Sequence, residues 1–204
     1  MDASRMLQKI KFVRYNLKAD WSKNNILEKF YPDNCLSAKD ISHDKNHVYQ
    51  SIYEFVKEDC LEKIDDRHFS PRYRITILGK CRILCKRFKI RFLSLCILAE
   101  AYSLRKYQMA NNCKVMYTIC DMHNTFDGMY TKKTLINAKN ILRSRHFVYS
   151  ISNDKMKIRD DKIRELEKHD ATLEGLHECL AGVPNQINMM ALKDPHMLHK
   201  ITLR

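Results

Sequence analysis

Asn137 and Asn140 stand three residues apart in KKTLINAKNILRS, among Lys132, Lys133, Lys139 and Arg143. An Asn amide offers a donor and an acceptor side by side, the pair needed to hold the edge of an adenine in a major groove. Flanking cations suit phosphate rather than bases. Earlier in the chain, His47, Tyr49 and Gln50 form a second group of long polar side chains within a few residues of each other. Neither group contains a nucleophile paired with a base, or two carboxylates in an apolar setting. The chemistry they offer is recognition, not bond-making.

Side chains of this kind act only when a helix presents them on one face. Residues 131–144 supply such a helix: Thr131 caps it, and Leu135, Ile136, Ala138, Ile141 and Leu142 define an inward face. Lys132, Lys133, Asn137, Lys139, Asn140 and Arg143 are expected around that face. Arg145 follows at its end. Two short alternating segments come next, HFVYSIS at 146–152 and KMKIR at 155–159, separated by Asn153-Asp154, which tolerates a tight hairpin. Lys155 and Lys157 make this hairpin basic.

Residues 36–80 read in the same order. Ser37 is a candidate cap before AKDIS, and Asn46 before a helix with Val48, Ile52, Phe55 and Val56 turned inward and His47, Tyr49, Gln50, Tyr53 and Glu54 outward. Leu61 to Ile64 alternates like a strand, 65–71 is loop, Tyr73, Ile75 and Ile77 alternate in a returning strand, and Gly79 ends the unit. Arg67, Arg72 and Arg74 place positive charge on this ribbon.

The pattern VYxSIYxFVxxxxLEKI followed by RYRITxLGK resembles the winged-helix transcription regulators of bacteria and archaea, over about a fifth of the chain. Asp59 and Cys60 stand where that family has a glycine between helix and first wing strand, which implies a looser or differently aimed corner. Two such halves resemble a covalent version of a dimeric regulator, the two-module layout of plasmid or viral replication initiators, or tandem winged-helix subunits that bind proteins alone. The resemblance implies a mainly α fold with small β-wings, arranged as tandem winged helix-turn-helix modules: 1–88 with a leading helix, 89–160, and a C-terminal helix and tail at 161–204. Four Gly and four Pro in 204 residues agree, because a turn-rich sheet protein needs more of both.

Charge is grouped. Between Arg67 and Ala99 nine Lys or Arg meet no acid, and between Met129 and Arg159 eight meet only Asp154. Clustered cations gain from counterion release on a duplex, so Lys86 and Arg87 in the connector join the candidate DNA contacts. The segment around the first helix is net acidic, which assigns most affinity to the second helix and to the basic wing and connector of the first module, and leaves the first helix to read bases or to meet a protein.

Eight Cys without an apolar leader read as reduced thiols, with no paired CxxC set for zinc. Cys81 and Cys85, beside Lys80, Arg82, Lys86 and Arg87, offer the one thiol-redox pattern. No catalytic motif, metal site or cofactor is expected, and FLSLCILAEA at 92–101 is about half the length a membrane helix needs. The 161–181 stripe, interrupted by Asp170, is expected to cover the second module or to pair with another copy or another protein. Double-stranded DNA is the expected partner, transcriptional regulation the expected role, and cytoplasm, or nucleus in a eukaryote, the expected place. A protein-binding scaffold and a replication initiator are the alternatives.

Overall fold

The computed structural model describes residues 24–41, 45–65, 71–112, 116–126, 130–152 and 154–181. These are mostly helical, with two small antiparallel sheets. They divide between Phe92 and Leu93 into two compact units. Among the described residues no helix is long and apolar enough to cross a membrane.

In the first unit, α1 (Asn24–Glu28) precedes β1 (Leu36–Ser37), α2 (Ala38–Ile41), α3 (Lys45–Lys57), β2 (Leu61–Asp65), β3 (Arg72–Ile75) and α4 (Ile77–Phe88). Its sheet has the order β1-β3-β2, with Leu36 opposite Tyr73 and Leu61 opposite Ile75. Val48, Ile52 and Phe55 on α3 bury one face against Leu27, Phe30 and Ile83. Burial of this kind, at about 25 cal/mol per Å² of apolar area, is what makes helices this short hold.

The second unit repeats the sequence of elements. Here α5 (Phe92–Asn111) leads to β4 (Tyr117–Thr118), α6 (Ile119–Thr125), α7 (Lys132–Ser144), β5 (Val148–Ser150) and β6 (Lys155–Ile158), and the sheet order is β4-β6-β5. Beyond a 3-10 turn at Asp160–Lys162 come α8 (Ile163–Glu167) and α9 (Asp170–Ala181). Residues 161–181 therefore belong to this unit. Their stripe of Leu166, Leu173, Leu176 and Leu180 is buried, and Lys106 of α5 pairs with both Asp170 (3.0 Å) and Glu174.

Repetition extends to the corners. Both α3 and α7 have 13 residues and end in the same cap, in which a left-handed residue, Asp59 (φ 57) or His146 (φ 60), closes the last turn. Cys60 N–H donates to the Phe55 carbonyl at 2.7 Å and Phe147 N–H to Leu142 at 3.0 Å; Asp59 and His146 donate to Val56 and Arg143, each at 3.0 Å. This is a Schellman closure made without glycine. The corner is closed rather than loose. At the first short strand, the Asp40 carboxylate accepts from Ser37 N–H and hydroxyl (both 2.8 Å), as Asp121 does from Thr118 (2.8 and 2.7 Å). Those bonds hold the Asp40 carboxyl below its usual range, the backbone N–H of Ser37 contributing most.

Three expected boundaries change. The strand through Ile77 stops at Ile75, because Thr76 caps a new helix: its hydroxyl accepts from Gly79 N–H (3.2 Å) while its own N–H donates to Cys60 (3.0 Å). Gly79 ends nothing, since it lies in the first turn of α4 with its Cα against the Cys60 carbonyl, where a Cβ would collide. The basic connector at 80–91 is mainly this helix, which buries Cys81, Ile83, Leu84, Cys85 and Phe88. CKVMYTICDMHN at 113–124 has the apolar spacing of a helix through Val115, Met116, Ile119 and Met122, but Tyr117 and Thr118 form β4, pairing with Met156 and Lys155, and α6 begins only at Ile119.

Candidate nucleic-acid interface

Thr131 caps α7 by accepting from Thr134 N–H at 3.3 Å, which sets the rotation of the helix. Leu135, Ala138 and Leu142 then face the core, and Lys132, Lys133, Asn137, Asn140 and Arg143 are exposed. No acid occupies the first turn. Two lysines beside the positive end of a helix dipole oppose each other and the helix, so their placement costs a little stability and yields a strongly anion-attracting end. Arg145 caps the far end and Lys155 opens β6, both exposed. Among the described residues, Lys132, Lys133, Arg143, Arg145 and Lys155 make no ion pair.

Two cations at the end of this hairpin are engaged. Lys157 reaches Asp160 at 3.3 Å, and Arg159 holds Asp161 at 2.9 Å while lying 4.7 Å over the Tyr149 ring. Tyr149 and Ile151, each 50% exposed, form an apolar edge on the β5–β6 hairpin. In the sequence these two fit simple strand alternation; the signal for an exposed edge is a pair of large apolar residues on the solvent side of a ribbon.

Lys139 was expected on the outer face of α7. It is instead 1% exposed, with its ammonium donating to the Ser152 carbonyl at 3.2 Å. Burial lowers its pKa from the ordinary lysine value, Asp154 opposing that shift and Arg143 adding to it.

On α3, His47, Tyr49, Gln50 and Tyr53 are exposed as expected, Tyr53 by 69%. The side chain of Asn46 and the residue Arg67 lie outside the described residues. Around this helix the acid-free run of sequence is met by acids from elsewhere in the fold. Arg74 pairs with Glu62 (2.8 Å), Lys80 with Asp33 (2.6 Å), Arg82 with Glu58, and Lys86 with Glu28 (3.0 Å) and the Asn25 amide oxygen (3.1 Å). Arg87 stacks 4.5 Å over Tyr31. Arg72 is exposed and, among the described residues, without an ion pair.

The thiol-redox pattern fails on burial. Cys81 and Cys85 are enclosed in the first unit, and desolvation pushes the Cys85 thiol up to about 12, so neighbouring cations in sequence do not activate it. Among the described residues no three His, Cys, Asp or Glu side chains gather as metal ligands would. Comparison with protein-family models, curated proteins and solved structures finds no match.

Proposed function

We propose that the chain is a tandem winged-helix protein that binds double-stranded DNA as a transcriptional regulator, with its second unit supplying most of the affinity. The observation that carries this reading is α7: amides at Asn137 and Asn140, lysines at its first turn and Arg143 at its last, all exposed above a buried Leu135-Ala138-Leu142 face. A helix of 13 residues is about 20 Å long and fits a major groove, and the hairpin that follows brings Lys155 toward flanking phosphate. The repeated order strand, helix, helix, hairpin, with the returning strand central in each sheet, supports the fold part of the reading.

Selection of preferred sites from random duplexes tests it. Asn137→Ala or Asn140→Ala costs about 1–3 kcal/mol on the selected site and much less on random DNA. Lys132→Ala or Lys133→Ala weakens both similarly. Identical profiles for the two kinds of change would remove α7 as a reading helix.

A second reading applies to the first unit alone. The outer face of α3 carries Tyr49 and Tyr53 beside Glu54, and Arg82 near its end is paired with Glu58, a composition that suits a protein surface as well as a base stack. Loss of a protein partner on Tyr53→Ala, with duplex binding retained, would assign α3 to that role.

A further inference from the structure

Among the inward positions of α7, one is a lysine. When Lys132 is matched with Lys45 as the first residue of each helix, Lys139 falls opposite Ile52, which is likewise 1% exposed. An apolar side chain fills that position in the first unit without the cost of desolvating an ammonium. The second unit bears the cost, and its geometry shows what is gained. The four-carbon stem packs in the core, and the Nζ emerges at the turn between β5 and β6.

Within the described residues of that turn, the Ile151 and Ser152 N–H groups donate to the Lys155 carbonyl (3.0 and 3.4 Å), Asp154 N–H to the Ser152 hydroxyl (3.3 Å), and the Ser150 hydroxyl to the Ser152 carbonyl (2.9 Å), all of which join the hairpin to itself. Ile119 N–H donates to the Asp154 carbonyl (2.9 Å) and joins the far side of the turn to the start of α6. The bond from Lys139 to the same Ser152 carbonyl joins it to α7, and it is charge-assisted, hence stronger than the others.

We infer that Lys139 is a strut that fixes the β5–β6 hairpin against α7, a positioning residue that touches no DNA. It sets the direction of Lys155, Tyr149 and Ile151 relative to Asn137 and Asn140. Its consequence for DNA rests on the reading proposed above; its consequence for the hairpin does not.

Lys139→Met tests it in the full chain, because a long apolar side chain suits a position that Ile52 occupies in the other unit. In the free protein, amide exchange at Ile151 and Asp154 accelerates roughly tenfold, the loss of one charged hydrogen bond, with α7 amides unchanged. Unchanged exchange at the turn, or equal acceleration throughout the unit, overturns the strut. Should the variant not fold, the wild-type lysine decides: its Nζ protons are protected from exchange with water if the strut holds, and exchange freely if it does not. On a selected duplex, Lys139→Met binds about tenfold more weakly with a shallower salt slope, while the preference set by Asn137 persists. Loss of that preference overturns the positioning role. A wild-type chain that binds no duplex removes the proposed function and leaves the exchange measurement to judge the strut.

Discussion

The helix before the hairpin has the same length, the same Schellman closure and the same inward spacing in both units, yet its outer face differs: Lys132, Lys133, Asn137, Asn140 and Arg143 without an acid on α7, His47, Tyr49, Gln50 and Tyr53 beside Glu54 on α3. In the second unit Lys132, Lys133, Arg143, Arg145 and Lys155 are exposed and, among the described residues, without an ion pair. In the first, Arg74, Lys80, Arg82 and Lys86 each hold a carboxylate. Arg74 joins β3 to β2, and the other three pairs tie α4 to α1, to the Asp33 turn and to the end of α3, so the same residue types that stand exposed in one unit fasten elements together in the other. Net charge therefore says little about where a polyanion binds. What counts is which cations the fold leaves without a partner.

The sharpest way to break this comparison is to exchange the matched core residues. Ile52→Lys puts an ammonium into an apolar core and costs the first unit about 3–5 kcal/mol in urea unfolding, whereas Lys139→Ile leaves the second within about 1 kcal/mol of neutral. Equal costs would mean that Lys139 is an ordinary core member. Next in size is Gly79→Ala. Its Cβ meets the Cys60 carbonyl, backbone that cannot swing aside, and overpacking there costs about 1–3 kcal/mol in the first unit only.

A smaller contrast depends on pH. His177 on α9 shares a 2.7 Å hydrogen bond with Glu100 on α5, and this bond, with Glu178 and Glu174 adding to it against desolvation, raises the histidine pKa. The bond between the protonated ring and Glu100 is thus part of the folded unit. Its contribution is complete below the unfolded value of about 6.5 and is lost as pH rises through the higher folded value. Melting of the second unit should fall between pH 6 and 8, and His177→Gln should flatten that dependence. The smallest effect is at the corners: Asp59→Gly and His146→Gly relieve a left-handed residue but loosen the unfolded chain, so each shifts stability by less than about 1 kcal/mol, the His146 change being the more favourable because Asp tolerates that conformation better.

Much of the fold was legible. Helix, turn, helix and hairpin could be read in both halves because Val48, Ile52 and Phe55, and Leu135, Ala138 and Leu142, keep helical spacing. Failures have local causes. Tyr73, Ile75 and Ile77 alternate over too few residues to separate a strand from a strand followed by a cap, and the capping Thr76 was the deciding signal. β4 is two residues long, too short for any period; the matching S-x-x-D at Ser37 and T-x-x-D at Thr118 marked both short strands. Cys81, Leu84, Cys85 and Phe88 kept helical spacing inside the charge run, which drew attention away from them. For the site, the outer residues of α7 were readable, but residue type placed Lys139 outside when its spacing from Leu135 and Leu142 placed it inside. The ion pairs of α4 were not readable, because their partners lie far away in sequence.

The salt dependence of duplex binding tests the central claim most directly. With Lys132, Lys133, Arg143 and Lys155 on phosphates, log affinity should fall against log salt with a slope of roughly −4. Reversing those four residues to Glu should abolish binding and its slope together, while Arg74, Lys80, Arg82 and Lys86 changed to Gln should lower the stability of the first unit and leave the slope as it was. A slope that survives the first set of changes and collapses with the second would contradict the account.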